Sequence, residues 1–286
     1  MKVNNKYTTF PQSATIACQG TQGAYSQFAC EATFQKPNIM YFENFNAVFN
    51  AVDKGMCEYG ILPIENSLHG SVSEILDLMS KYNFYIVRSA KLKINHSLLA
   101  NHGVISPQIK EIYSHEQALA QCSEFIGNLK NIKIVEFSNT AAAARMVSES
   151  GRRDIAAIAN PRCAQLYNLS AISGDIQNNA NNYTKFICIS KDLQVYDNAN
   201  LISMAFSVAH KQGALYEFLS KFAERGINLT KIESRPIPGK DFEYMFYTEM
   251  EASINNPEIP TLISHLEEAP ESFKFLGNYS QLTVDN

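Results

Sequence analysis

Apolar residues along the first two-thirds of the chain fall in short runs that alternate with amphipathic stretches. The runs ATIACQG (14–20) and YGILPIE (59–65) are dense enough in apolar residues to predict strands, and residues 23–34 predict a helix. After a short loop, Val72, Ile75, Leu76 and Met79 follow the i, i+3, i+4, i+7 spacing of a helix with one buried face. Helical patterns recur at 115–126 and 140–150, and strands at 132–137, 155–160 and 184–190. This alternation predicts an α/β unit with mainly parallel sheets over 14–190. Residues 191–200, KDLQVYDNAN, are polar and turn-rich and predict a linker. From 201 to 280 the order becomes strand, helix, strand, strand, helix, strand, the ferredoxin-like βαββαβ arrangement. Its first helix carries the stripe Leu215, Phe218, Leu219 and Phe222, with Gly226 placed as a C-terminal cap.

Composition narrows the function. The chain has 286 residues, 45% hydrophobic and 18% charged, with a net charge of −4, so it has no basic field for a nucleic-acid backbone. Cys18, Cys30, Cys57, Cys122, Cys163 and Cys188 are scattered without metal-ligand spacing and are expected to be small buried hydrophobes in a reducing compartment. No stretch reaches the ~20 apolar residues of a membrane span, and MKVNNKYTTFPQ lacks a signal-peptide core, so the expected location is cytoplasmic.

Three segments concentrate polar groups. In Gly20-Thr21-Gln22-Gly23-Ala24-Tyr25-Ser26, two glycines precede a helix; the segment is either an anion-docking turn or a plain βα turn. Glu65-Asn66-Ser67 lies at the carboxyl end of an expected parallel strand, where open α/β sheets bind ligands. Ser71 is expected to cap the next helix, with Glu74 completing a capping box. In Asn181-Asn182-Tyr183-Thr184-Lys185-Phe186 a hydroxyl stands beside a cation, which suits either an anionic substrate or an ordinary strand. His96 and His115 read as core or cap residues.

In order, GTQGAYS (20–26), GILPIENSLHGSV (60–72), SHEQALAQC (114–122), AAIANPRCAQLYNL (156–169) and IQNNANNYTKF (176–186) resemble the prephenate dehydratase family. The tail resembles the amino-acid-binding ACT domain. The resemblance implies a two-lobed catalytic domain like a type II periplasmic binding protein, with lobe one at about 14–93 plus 175–190 and lobe two at about 94–174. It implies conversion of prephenate to phenylpyruvate without cofactor or metal, in a homodimer or homotetramer inhibited by phenylalanine. Thr184 is the implied catalytic residue; Thr21, Ser26, Glu65, Asn66, Ser67, Ser71, Thr140, Lys185 and Phe186 are the implied substrate binders. His210, Gly213, Ala214, Leu215, Asn228, Glu233, Ser234, Arg235 and Pro236 are the implied effector residues. Lys185, Asn178 and Glu116 depart from the family's usual Arg, Asp and Pro, and His210 and Gln212 from its usual Asn and Pro. Lysine keeps the charge but loses the two-pronged grip of arginine on a carboxylate. The alternatives are arogenate as substrate, or a non-catalytic binding protein on the same fold.

Overall fold

The computed structural model describes residues 6–7, 9–268 and 271–284. Lobe one is a sheet ordered Gln281–Val284, Tyr85–Lys93, Tyr183–Ser190, Tyr59–Asn66, Ser13–Gln19, Lys36–Phe42, with Gly70–Ser71 paired beside Tyr59–Asn66. The sheet is mixed rather than mainly parallel, because Tyr183–Ser190 runs antiparallel to both neighbours. That strand arrives from lobe two and not through a crossover helix, so nothing forces it parallel. Helix Tyr25–Thr33 covers one face, packing Phe28, Ala29 and Cys30 with Ile16, Cys18 and Phe186. Helix Phe45–Asp53 covers the other; Asn44 caps it by accepting from the Ala47 N–H at 2.9 Å, and Val48, Phe49 and Val52 are buried.

The chain leaves lobe one after Lys93 and builds a second sheet, ordered Ser170–Ser173, Ser97–Ala100, Ile155–Ala159, Glu111–Ser114, Lys133–Glu136. The helical stretch at 115–126 is divided into Glu116–Gln121 and Ser123–Gly127 at Cys122. His115 caps the first of these, its Nδ1 accepting from the Gln117 N–H at 3.2 Å. Helix Thr140–Ser150 is capped by Asn139 and ends on Gly151 in the left-handed region.

The third sheet is ordered Leu229–Pro236, Tyr244–Glu251, Leu201–Ser207, Ser272–Tyr279, the interleaved ferredoxin-like order. Ile202, Met204 and Phe206 face helices Ala214–Ala223 and Glu258–Glu268. Leu201, Ala205, Tyr247, Leu276 and Tyr279 face the other way and share one core with Leu62, Leu76, Met79, Ile86 and Ile187 of lobe one.

Two features correct the expected domain boundaries. Residues 191–200 are not a free linker: Val195, Tyr196 and Ala199 are buried, and Val195–Tyr196 pairs with Lys6–Tyr7. Beyond the ferredoxin-like unit the chain turns back, and Gln281–Val284 pairs parallel to Tyr85–Lys93. Gly277 stands where the two units touch, with φ +146° and a position at which an added Cβ would lie 2.1 Å from the Ile86 carbonyl oxygen.

A chain ending after about residue 195 is therefore expected to be unstable. It uncovers the shared core, a loss on the order of 10 kcal/mol and comparable with the whole stability of a domain. Solubility and far-UV circular dichroism of the truncated chain check this; a soluble, cooperatively folded fragment would contradict it. Gly277→Ala is expected to lower stability by about 2 kcal/mol or more in a denaturant titration.

Candidate active site

The centre of the interlobe cleft is a register fact. In the pairing of Tyr59–Asn66 with Tyr183–Ser190, Asn66 stands opposite Thr184 and Glu65 opposite Lys185. The Asn66 Nδ2 donates to Thr184 Oγ1 at 3.0 Å and to Asn182 Oδ1 at 2.8 Å, with the Tyr183 carbonyl at 3.2 Å competing for its two hydrogens. Its Oδ1 accepts from the Leu68 and His69 N–H groups at 3.0 and 3.2 Å, which fixes the amide with its nitrogen toward Thr184. Because Thr184 Oγ1 is an acceptor in that bond, its own proton is free to point elsewhere.

A chain of polar contacts continues into lobe two. His69 Nδ1 lies 3.1 Å from Asn66 Oδ1 and 3.4 Å from Gln121 Nε2. Gln121 Oε1 lies 3.0 Å from His96 Nε2, which places the proton of neutral His96 on Nε2. Burial pushes the His96 pKa down, so the ring is neutral at neutral pH. The His96 ring packs edge-on to Tyr25 at 6.3 Å between centroids, and the Tyr25 hydroxyl is held by the backbone of Asn95. Burial raises the Tyr25 pKa well beyond its ordinary value, so it stays a neutral hydroxyl. His96 Nδ1 and Asn182 Nδ2 are buried with no hydrogen-bond partner among the described residues. Leu68, His69, Gln121, Gln177, Asn178, Asn179 and Asn182 line the cleft beside this chain, a space of about 230 Å3.

The other implied substrate binders divide. Thr21 and Ser26 lie on the Gly-rich turn and the helix it starts, and Thr140 opens helix Thr140–Ser150. These meet at the lobe junction through Gly23, where an added Cβ would lie 2.9 Å from Leu166, 3.0 Å from Cys163 and 3.4 Å from Ala141. Ser67 is occupied in joining the two loops: its hydroxyl accepts from the Tyr183 N–H at 2.9 Å and donates to the Asn181 carbonyl at 3.2 Å. Phe186 is 3% exposed and belongs to the core under the site, not to its surface.

Glu65, Ser71 and Lys185 face the ferredoxin-like unit instead of the cleft. Lys231 Nζ reaches Glu65 at 3.1 Å and Ser71 Oγ at 2.5 Å, Ser71 also donates to Glu233, and Lys185 pairs with Glu249. Ser71 does not cap the following helix either; Val72 is the cap residue, and no side chain caps that end. Glu65 and Lys185 are the neighbours of Asn66 and Thr184 and point to the opposite face, and Ser71 stands opposite Glu65 in the adjoining ladder.

The implied effector residues also separate. His210 and Leu215 line an open groove with Phe242, Tyr244 and Phe246, and Gly213 starts the adjoining helix at φ +83° with Ala214 buried behind it. Glu233 and Arg235 do not reach that groove: Arg235 pairs with Asp77 of lobe one at 2.9 Å, and Glu233 meets Ser71. Ser234 and Pro236 are exposed on the opposite face of the same strand, and Asn228 is exposed with its carbonyl accepting from the Glu251 N–H.

The prephenate dehydratase family model matches residues 16–194. Arogenate dehydratase/prephenate dehydratase 2, chloroplastic, of Arabidopsis thaliana is 36% identical over 275 residues, covering 92% of this chain and 72% of that one. A prephenate dehydratase from Arthrobacter aurescens, solved in complex with L-Phe, superposes with a TM-score of 0.84 at 29% identity, covering 93% of this chain and 90% of that one. GqqA, described as a novel type of quorum quenching acylase, superposes with a TM-score of 0.83 at 29% identity, covering 93% and 97%. A family match spanning both lobes, joined to relatives that align along nearly the whole chain, makes this protein an enzyme of the prephenate dehydratase family, a hydro-lyase of aromatic amino-acid biosynthesis.

Proposed function

We propose that the chain converts prephenate to phenylpyruvate, with Thr184 as the hydrogen-bond donor to the departing ring hydroxyl. The electron pair of the ring-to-carboxylate bond moves into the ring as CO2 leaves, and the C–O bond breaks on the far side to give an aromatic product. The departing hydroxide takes up a proton and leaves as water. A threonine hydroxyl is too weak an acid to supply that proton outright, so Thr184 polarises the leaving group and passes a proton on. The observation that carries the reading is the Asn66–Thr184 pair: Asn66 donates to Oγ1 and leaves the threonine proton for the substrate.

Prephenate is favoured over arogenate by the chemistry of the cleft. The amino group of arogenate calls for a carboxylate partner, whereas the residues lining the cleft beside Thr184 are amides, a histidine and apolar groups, with no Asp or Glu among the described ones. Asn178, which stands where the family usually has Asp, donates to Ser123 Oγ at 2.8 Å and accepts from the Glu124 N–H. Among the described residues no helix is long and apolar enough to cross a membrane. The six buried free thiols fit a reducing, cytoplasmic setting.

The ferredoxin-like unit is the site proposed for phenylalanine inhibition, in an assembly of two or four copies. Tyr216 and Phe242 are 76% and 78% exposed beside the groove at His210 and Leu215, an apolar surface suited to a second copy. The L-Phe named for the Arthrobacter structure supports the effector's identity.

Purified protein is expected to form phenylpyruvate from prephenate and to turn over arogenate more slowly in a parallel assay; amide hydrolysis in place of prephenate turnover would overturn the reading. Thr184→Ala is expected to lower kcat about 10²-fold or more in a folded protein. Phenylalanine is expected to inhibit, with a coupling of about 1–3 kcal/mol between effector and substrate binding. Gly213→Val forces a branched side chain onto a left-handed backbone, and is expected to relieve inhibition. Calorimetry that finds no phenylalanine binding to the intact oligomer would refute the regulatory part alone.

A further inference from the structure

A partly buried charged junction lies behind Thr184, on the face of the sheet away from the cleft. Lys185 and Glu249 have side chains only 15% and 13% exposed. Glu249 also accepts from Tyr279 at 2.7 Å and Thr230 at 3.0 Å. Burial on its own would raise the Glu249 carboxyl, but Lys185 and these hydroxyls hold it below its ordinary value, so it is the anion that fixes the lysine. Beside it, Lys231 bridges Glu65 and Ser71.

The two charged lobe-one members of this junction, Lys185 and Glu65, are the chain neighbours of cleft residues. Lys185 follows Thr184 and Glu65 precedes Asn66, and the two pairs stand opposite each other in the ladder. A bulge places Ile64 and Glu65 together on the far face, so Asn66 emerges in the cleft. A backbone whose next side chain is anchored has little freedom to rotate, and the Asn66–Thr184 hydrogen bond depends on that rotation.

We propose that Glu249 and Lys231 of the ferredoxin-like unit are positioning residues for the reaction, fixing Thr184 and Asn66 through Lys185 and Glu65. The proposal rests on Asn66–Thr184 being the reaction centre. The lysine at 185 then serves the junction, as a cation matched to Glu249, and does not hold the substrate carboxylate.

The test is steady-state kinetics of the full-length chain on prephenate. Lys185→Met and Glu249→Gln are each expected to lower kcat about tenfold with KM within about twofold, the signature of lost alignment and not of lost binding. The double variant is expected to be no worse than the poorer single, since both break one contact. Lys185→Arg, which keeps the cation, is expected to restore kcat to within about threefold. If Glu249→Gln does not fold, Tyr279→Phe removes one hydrogen bond to Glu249 and keeps the ring packed; a drop in kcat of about twofold or more at constant KM is expected. Fully multiplicative losses, unchanged kcat in the singles, or a rise in KM confined to Lys185→Met would each overturn the proposal. Thr184→Ala separates the two claims: normal kcat there sinks the reaction centre, whereas a large loss there with normal Lys185→Met and Glu249→Gln sinks only the positioning role.

Discussion

The alternation of side chains across one strand pair is the constraint on which the rest of the molecule depends. Asn66 and Thr184 share the cleft face because alternation turns Lys185 to the other side of its strand and the bulge at Ile64 turns Glu65 there too. The same rule that builds the site thus obliges a carboxylate and an ammonium to lie under it. Leaving the Lys185 ammonium, 15% exposed, buried and unpaired would cost several kcal/mol. The ferredoxin-like unit supplies partners for both charges, Lys231 and Glu249, so its position against lobe one follows from the chemistry of the cleft.

That contact is more than electrostatic. Tyr247 hydrogen-bonds the Leu76 carbonyl at 2.7 Å in the middle of helix Ser73–Lys81, and Lys274 reaches the Met79 carbonyl at 2.7 Å and the Tyr82 carbonyl at its end. Burial lowers the Lys274 pKa, yet the carbonyls at that helix end give the amine suitable acceptors. Polar and apolar contacts together make lobe one and the ferredoxin-like unit a single packed body, whereas the two lobes meet across the polar cleft and the close apolar contact at Gly23. Strand Tyr244–Glu251 runs from the groove at His210, which Tyr244 and Phe246 line, to Glu249 beside Lys185.

Much of this architecture was legible in the chain because apolar periodicity and the order of elements survive in sequence. The ferredoxin-like order, the helix at Thr140–Ser150 and the strand at Ile155–Ala159 belong to this class. Strand direction did not, since Tyr183–Ser190 is apolar on both faces whichever way it runs. The directions of Glu65, Ser71 and Lys185 were hidden for a related reason: both faces of the sheet are covered, so a polar residue on either looks alike. Gln121, His96 and Asn182 escaped because a buried amide or imidazole has no periodic signature; the signal available was their presence in the ordered strings. Ser71 looked like a cap by spacing alone, but a charge pair from another unit competed for its hydroxyl and won.

The strand Gln281–Val284 completes lobe one from the far end of the chain. Lobe one draws its strands from Ser13 to Val284, whereas lobe two and the ferredoxin-like unit are each built from one continuous stretch. Both are, in effect, insertions into the first lobe. Local stretches close their loops cheaply and fold early, and distant pairings wait for them. The sheet that holds Thr184 therefore closes only when the two inserted units have brought Tyr183–Ser190 and Gln281–Val284 back beside Tyr85–Lys93.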